Sequence, residues 1–177
     1  ALGSQCALLL ALRKMGKKAV AVVNQPIPRR YRFLPYVSQC QVASKFPPHR
    51  VCVTLDVGDL QRIREDARRE DFGRIVNIDH HISNTGFGQH QLIEGEACAT
   101  AEIVYRLIRA LGVELDREIA TALYTGILTD TGSFRFSNTN AAAFAIAREM
   151  TELGVDPYRV AQHVFGSYSL GRIKLLN

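Results

Sequence analysis

The chain of 177 residues has no apolar run long enough to span a bilayer and no secretory signal. A membrane partner is therefore not expected, and a cytoplasmic setting is. Its four cysteines, Cys6, Cys40, Cys52 and Cys98, stand far apart without a CxxC pair. That spacing argues against a structural zinc site or a disulfide framework and predicts buried thiols. Internal repeats and low-complexity tracts are also absent. Acidic residues are the minority, 17 Asp and Glu against 22 Lys and Arg, for a formal net charge of +5. The excess would suit a polyanionic partner but is spread thinly. An initiator Met is missing: Ala1-Leu2-Gly3-Ser4-Gln5 enters a helical pattern with no strand or cap before it, and Leu170 to Asn177 stops inside another. Both ends are expected to be those of a fragment. What is present, 47% hydrophobic and 22% charged residues, is the composition of about one globular domain with a substantial core.

The chain is organised around Arg74 to Phe87, RIVNIDHHISNTGF. Ile75, Val76 and Ile78 form a short apolar run that predicts a buried parallel strand, and Asp79, His80 and His81 fall where it ends. Upstream, the run Val51 to Leu55 predicts a second strand ending directly in Asp56. Ligands of open α/β sheets bind at the carboxyl ends of strands, so two strands deliver acid or imidazole to one edge.

Around these strands the pattern predicts a helix from Leu2 to Met15 closed by Gly16, a strand over Lys18 to Asn24, and a proline-rich surface connection over Gln25 to Pro35. The three arginines of that connection, Arg29, Arg30 and Arg32, fit either a phosphate contact or a solvated loop. A short helix is expected within Tyr36 to Phe46, and an exposed helix face within Arg62 to Arg74, where charges of both signs alternate. Asp59 is a candidate cap. Ile82 to Glu96 is expected to be an irregular loop. Helices are predicted over Ala97 to Leu111, from Asp116 towards Thr129, over Asn140 to Leu153, over Asp156 to Phe165, and from Leu170 onward. Thr129 to Ser133 breaks the apolar pattern and carries a third acid, Asp130.

Asp56, Asp79, His80, His81 and Asp130 supply oxygen and imidazole but no thiolate, a donor set suited to Mn²⁺ or Mg²⁺ rather than structural zinc. Each lone acid also has a plainer reading as a turn cap. Two adjacent histidines after a buried strand are harder to explain by packing.

Asp79-His80-His81 with Ile82-Ser83-Asn84, preceded by LDVGDLQR at Leu55 to Arg62, closely resembles the DHH phosphoesterase superfamily. GILTDTGSFRFSNT, Gly126 to Thr139, resembles the family's fourth motif, and the first eighteen residues resemble the helix after its first. The likeness runs end to end, nearest to the bifunctional oligoribonuclease and 3′-phosphoadenosine 5′-phosphate phosphatase branch. It implies an α/β catalytic domain over residues 1–165, with a largely parallel sheet, helices on both faces and its first strand missing. Residues 166–177 would begin a linker helix towards an absent substrate-binding domain.

The resemblance further implies a two-metal Mn²⁺ or Mg²⁺ site in full-length relatives. Asp56 would bridge the metals, His80 and Asp130 would ligate one of them, His81 would contact the scissile phosphate or leaving group, and Asp79 would orient the imidazoles. Ser83 and Asn84 would line the phosphate pocket. The family's HxxxDxD motif is not in the chain, so the isolated fragment is expected to be inactive. Implied substrates are short oligonucleotides or a nucleoside 3′,5′-bisphosphate. A cyclic-dinucleotide phosphodiesterase, a RecJ-like exonuclease, a pyrophosphatase and a non-catalytic nucleotide-binding module remain alternatives, and a homo-oligomer stays open.

Overall fold

The computed structural model describes residues 1–42 and 49–166. Helix α1 (Leu2–Lys14) comes first, followed by β1 (Val22–Val23), β2 (Gln41–Val42), β3 (Val51–Leu55), β4 (Arg74–Asp79) and β5 (His90–Ile93). Four helices complete the chain: α2 (Thr100–Ala110), α3 (Arg117–Asp130), α4 (Ala141–Glu152) and α5 (Pro157–Phe165). The fold is α/β, and every described strand pairing is parallel. One sheet joins β1 to β2; the other has the order β3-β4-β5.

Strand β4 is central and is the most buried of the strands, with Ile75 and Ile78 in the core. Its register sets Thr54 beside Asn77 and Leu55 beside Ile78. The buried Asn77 donates to the Thr54 hydroxyl at 2.9 Å and to the Val57 carbonyl at 3.1 Å, which locks the ends of both strands against a one-residue slip.

The helices pack closely at small residues. A Cβ on Gly3 of α1 would lie 2.4 Å from the Ala122 carbonyl oxygen of α3, and one on Gly126 would lie 2.7 Å from the Cβ of Ala101 in α2. These two glycines bring α1, α2 and α3 to backbone distance around the core residues Ile103, Ile119, Leu123 and Ile127. Helices α3, α4 and α5 each start at a capping side chain. Asp116 accepts from Ile119 N, Asn140 from Ala143 N and Asp156 from Arg159 N.

Several expectations shift. The strand over Lys18 to Asn24 shortens to Val22–Val23. Within Tyr36 to Phe46 there is a 3₁₀ turn, Val37–Gln39, followed by β2 rather than an α-helix; residues 43–46 lie outside the described residues. The charged stretch Arg62 to Arg74 holds no α-helix either. Its side chains bond locally instead: Arg64 pairs with Asp66 and with Asp71, whose carboxylate also accepts from Arg68 N. Such bonds compete with helix and leave only 3₁₀ turns at Leu60–Arg62 and Arg69–Asp71. The loop after the triplet contains β5, four residues long and too short to show alternation, which finds its pairing on the free edge of β4. Cys6 and Cys98 are buried, Cys40 and Cys52 half-buried, and all four are free thiols. The helix expected from Leu170, and the linker beyond Gly166, lie outside the described residues.

Candidate metal and phosphoester site

Parallel pairing brings the ends of β3 and β4 side by side, and the site forms there. Asp56 is the first residue after β3. Its N–H continues the ladder to the Ile78 carbonyl at 3.0 Å, while its φ of 64° turns the chain sharply. A left-handed non-glycine residue costs about 1–2 kcal/mol, which the surrounding strands hold in place. Ligand atoms of Asp56, His80 and His81 all lie within 4.8 Å of one another. Asp130 reaches the same place from the last residue of α3, its Oδ2 3.0 Å from His80 Nε2, whereas Asp56 Oδ1 is 3.7 Å from that nitrogen.

The hydrogen bonds behind these groups settle how each imidazole is presented. His80 Nδ1 lies 3.2 Å from the Ala97 carbonyl oxygen, which can only accept, so Nδ1 carries the proton and Nε2 turns its lone pair towards the carboxylates. His81 Nδ1 lies 2.7 Å from Oδ1 of Asp79, and the same reasoning puts its proton on Nδ1. Asp79 is fully buried. It is satisfied by three donors: His81, the His80 backbone N–H at 2.8 Å and the Asn84 amide at 2.7 Å. Burial without those donors would cost far more than they contribute.

Charge is balanced within the cluster. The Thr100 hydroxyl donates to Asp56 Oδ1 at 2.8 Å, and the backbone nitrogen of Ala1 lies 2.8 Å from Oδ2. The Asp130 carboxylate raises His80 to about 8, against the opposing effect of burial. With a proton on Nε2 as well, His80 faces the Asp56 and Asp130 carboxylates as a cation, and a metal binding here would displace that proton.

The donor set fits a divalent cation. Oδ2 of Asp130 is buried and close to His80 yet has no aligned hydrogen-bond donor among the described residues. An unsatisfied carboxylate oxygen beside an imidazole lone pair and a second carboxylate is what a hard or borderline cation requires.

Of the residues singled out from sequence, Asp56, Asp79, His80, His81 and Asp130 come together. Ser83 is exposed on the turn after His81. Asn84 has both amide protons engaged within the protein, on Asp79 and on the Val57 carbonyl, and its oxygen accepts from Gly86 N. Three partners were not singled out: Thr100 on Asp56, the Ala97 carbonyl on His80, and Asn138, which donates to the carbonyls of Cys98 and Asp130 at 2.7 and 3.2 Å. A Thr in the first helical turn and an Asn in a loop are ordinary helix-start and turn residues, so their spacing carried no signal of a role here.

Comparison with known proteins places the chain among relatives. Residues 1–127 match the family model described as the DHH family, N-terminal domain. The chain is 41% identical over 156 residues to the bifunctional oligoribonuclease and PAP phosphatase NrnA of Thermus thermophilus, covering 88% of this chain and 47% of that protein. It is 29% identical over 107 residues to a probable manganese-dependent inorganic pyrophosphatase of Streptococcus mutans, covering 59% of this chain and 34% of that one. The crystal structure of an exopolyphosphatase-related protein from Bacteroides fragilis superposes with a TM-score of 0.91 at 28% identity, over 99% of this chain and 55% of that one. The chain spans about half the length of the Thermus and Bacteroides proteins.

Proposed function

The chain belongs to the DHH family, and on that premise we propose that it is the catalytic domain of a divalent-metal-dependent phosphoesterase. Its substrates are short oligoribonucleotides and nucleoside 3′,5′-bisphosphates such as 3′-phosphoadenosine 5′-phosphate. The observation that carries this reading is the meeting of Asp56, His80 and His81 at two adjacent strand ends, with the unsatisfied Asp130 oxygen beside them.

In this reading Asp56, His80 and Asp130 would hold Mn²⁺ or Mg²⁺. Such cations, when bound, activate water and stabilise the charge that develops on a phosphoryl group. The protein's own part is orientation. Thr100 orients the Asp56 carboxylate by donating to Oδ1, and the Ala97 carbonyl fixes the His80 tautomer. His81 faces the cluster with Nδ1 held by the buried Asp79, which orients Nε2 to give a proton to a departing oxygen. Its position within 4.8 Å of Asp56 and His80 equally allows ligation. Ser83 is free for a phosphate contact, and we assign Asn84 to holding Asp79 instead, since its nitrogen has no proton left for substrate.

Calorimetric titration with Mn²⁺ tests the site. The wild-type chain binds, and His80→Ala loses most of that affinity; equal binding by both removes His80 from the site. Hydrolysis of a dinucleotide and of 3′-phosphoadenosine 5′-phosphate by the chain extended with an HxxxDxD strand at its N-terminus then tests the substrate class, and turnover of pyrophosphate in their place would move the protein to the pyrophosphatases.

A further inference from the structure

Directly beyond Asp130 the backbone adopts a conformation that side chains resist. Gly132, Ser133 and Phe134 are consecutive left-handed residues with φ of 55, 61 and 61°, and two of the three carry a side chain. The turn is closed by its own backbone and one hydroxyl. Ser133 N donates to the Leu128 carbonyl, Phe134 N to the Thr131 hydroxyl, and Arg135 N and Phe136 N to the Thr131 carbonyl. Strain of this kind persists where it holds groups in a required place.

The groups it holds are aromatic and basic. Phe134 stacks on Phe144 of α4 with centroids 5.3 Å and planes 22° apart, and lies 6.4 Å from Tyr124. The Phe136 ring lies against Gly132, where a Cβ would come within 2.4 Å of it. Phe136 and Phe144 nevertheless stay 57% exposed. Arg135 is exposed between Phe134 and Phe136, its Nε anchored on the Gly132 carbonyl at 2.7 Å. Asn138 ties the end of the segment back to the Asp130 carbonyl. The aromatic segment and the metal-site carboxylate are thus parts of one rim.

We propose that this rim is a stacking ledge for the base of a nucleotide whose phosphate is held at Asp56, His80 and His81, an inference that rests on the phosphoesterase reading. Aromatic faces stack on any base without a hydrogen-bond code, which suits oligonucleotides of mixed sequence. The Arg135 guanidinium adds a charge for the adjoining phosphate or the base face. Packing Phe136 on Gly132 fixes the ring in advance, so little rotamer freedom is lost when a base arrives.

The test compares adenosine 5′-monophosphate with inorganic phosphate by calorimetry in the presence of Mn²⁺, for the wild type, Phe136→Ala and Phe136→Tyr. Stacking predicts about tenfold weaker nucleotide binding in Phe136→Ala, unchanged phosphate binding, and restored nucleotide binding in Phe136→Tyr. Equal nucleotide affinity in wild type and Phe136→Ala overturns the ledge and leaves the phosphoesterase site standing. Equal loss of nucleotide and phosphate also overturns it, making Phe136 a structural residue. If the wild type binds neither ligand, the phosphoesterase reading fails and the ledge fails with it. Adenosine titrated without Mn²⁺ reads the ledge separately: an upfield shift of the adenine protons that disappears in Phe136→Ala supports stacking, and no shift in the wild type opposes it.

Discussion

The two sides of the site are built differently. On the sheet side, Asp56, His80 and His81 are held by a network of side-chain hydrogen bonds that ends on the buried Asp79 and on Thr100. On the helix side, Asp130 is placed by backbone contact: Gly3 and Gly126 bring α1 and α3 together, and the left-handed turn after α3 stops the helix at the carboxylate. The strand ends can therefore lose function while keeping the fold, whereas the helical side couples the two. A polar network positions groups with little help from close packing. Helix contact at glycine leaves no slack, so an error there moves everything the helix carries.

Substitutions at Asp79 press hardest on this contrast. Asp79→Ala removes the acceptor of three donors, and in the chain extended with an HxxxDxD strand hydrolysis in the presence of Mn²⁺ is expected to fall about 10²–10⁴-fold as His81 loses its orientation. Circular dichroism should still show a folded chain; wholesale unfolding would mean that the network, too, is structural. Gly3→Ala comes next. Its new methyl would meet the Ala122 carbonyl oxygen, and such overpacking costs about 1–3 kcal/mol, read from the urea midpoint. If the midpoint does not move, α1 and α3 can slide apart and the helix side is softer than the contacts imply.

Thr100→Val is the finer test of the sheet side. It keeps the shape and removes the hydrogen bond to Asp56, so Mn²⁺ affinity should drop about tenfold, the effect expected of a residue that orients a ligand, while stability barely changes. The smallest effect is at Asp116, the cap at the far end of α3 from Asp130. Asp116→Ala should cost about 1 kcal/mol without weakening Mn²⁺ binding. Burial raises the Asp116 carboxyl, but the Ile119 N–H and the Lys14 ammonium, 2.8 Å away, outweigh it and hold the group below its usual range. Because its folded value is depressed, its stabilising effect is present above the unfolded value and lost as pH falls through the folded one. The wild type should thus lose more stability than Asp116→Ala on acidification below about pH 4. Identical acid profiles would show that the cap acts without its charge.

Local signals were enough wherever a residue acts through its immediate neighbours in the chain. The apolar runs at Val51 to Leu55 and Arg74 to Asp79 are strands because β-branched residues cluster there. Asp116, Asn140 and Asp156 start helices because each side chain reaches an N–H three residues on. The DHH triplet was legible because it ends a buried strand, where only chemistry explains two histidines. Tertiary structure decided the rest. Strand β5 exists because β4 had an unpaired edge, not because four residues prefer to be extended. Residues Arg62 to Arg74 form turns because Arg64 bonds to both Asp66 and Asp71, an outcome that alternating charge does not distinguish from an exposed helix. Asn84 bonded to Asp79, Thr100 to Asp56, and Asn138 to the carbonyls of Cys98 and Asp130, through bonds spanning 5, 44, 40 and 8 residues. The types of the site's residues were written locally, but their partners were chosen when parallel pairing and glycine contact brought distant segments to hydrogen-bonding distance.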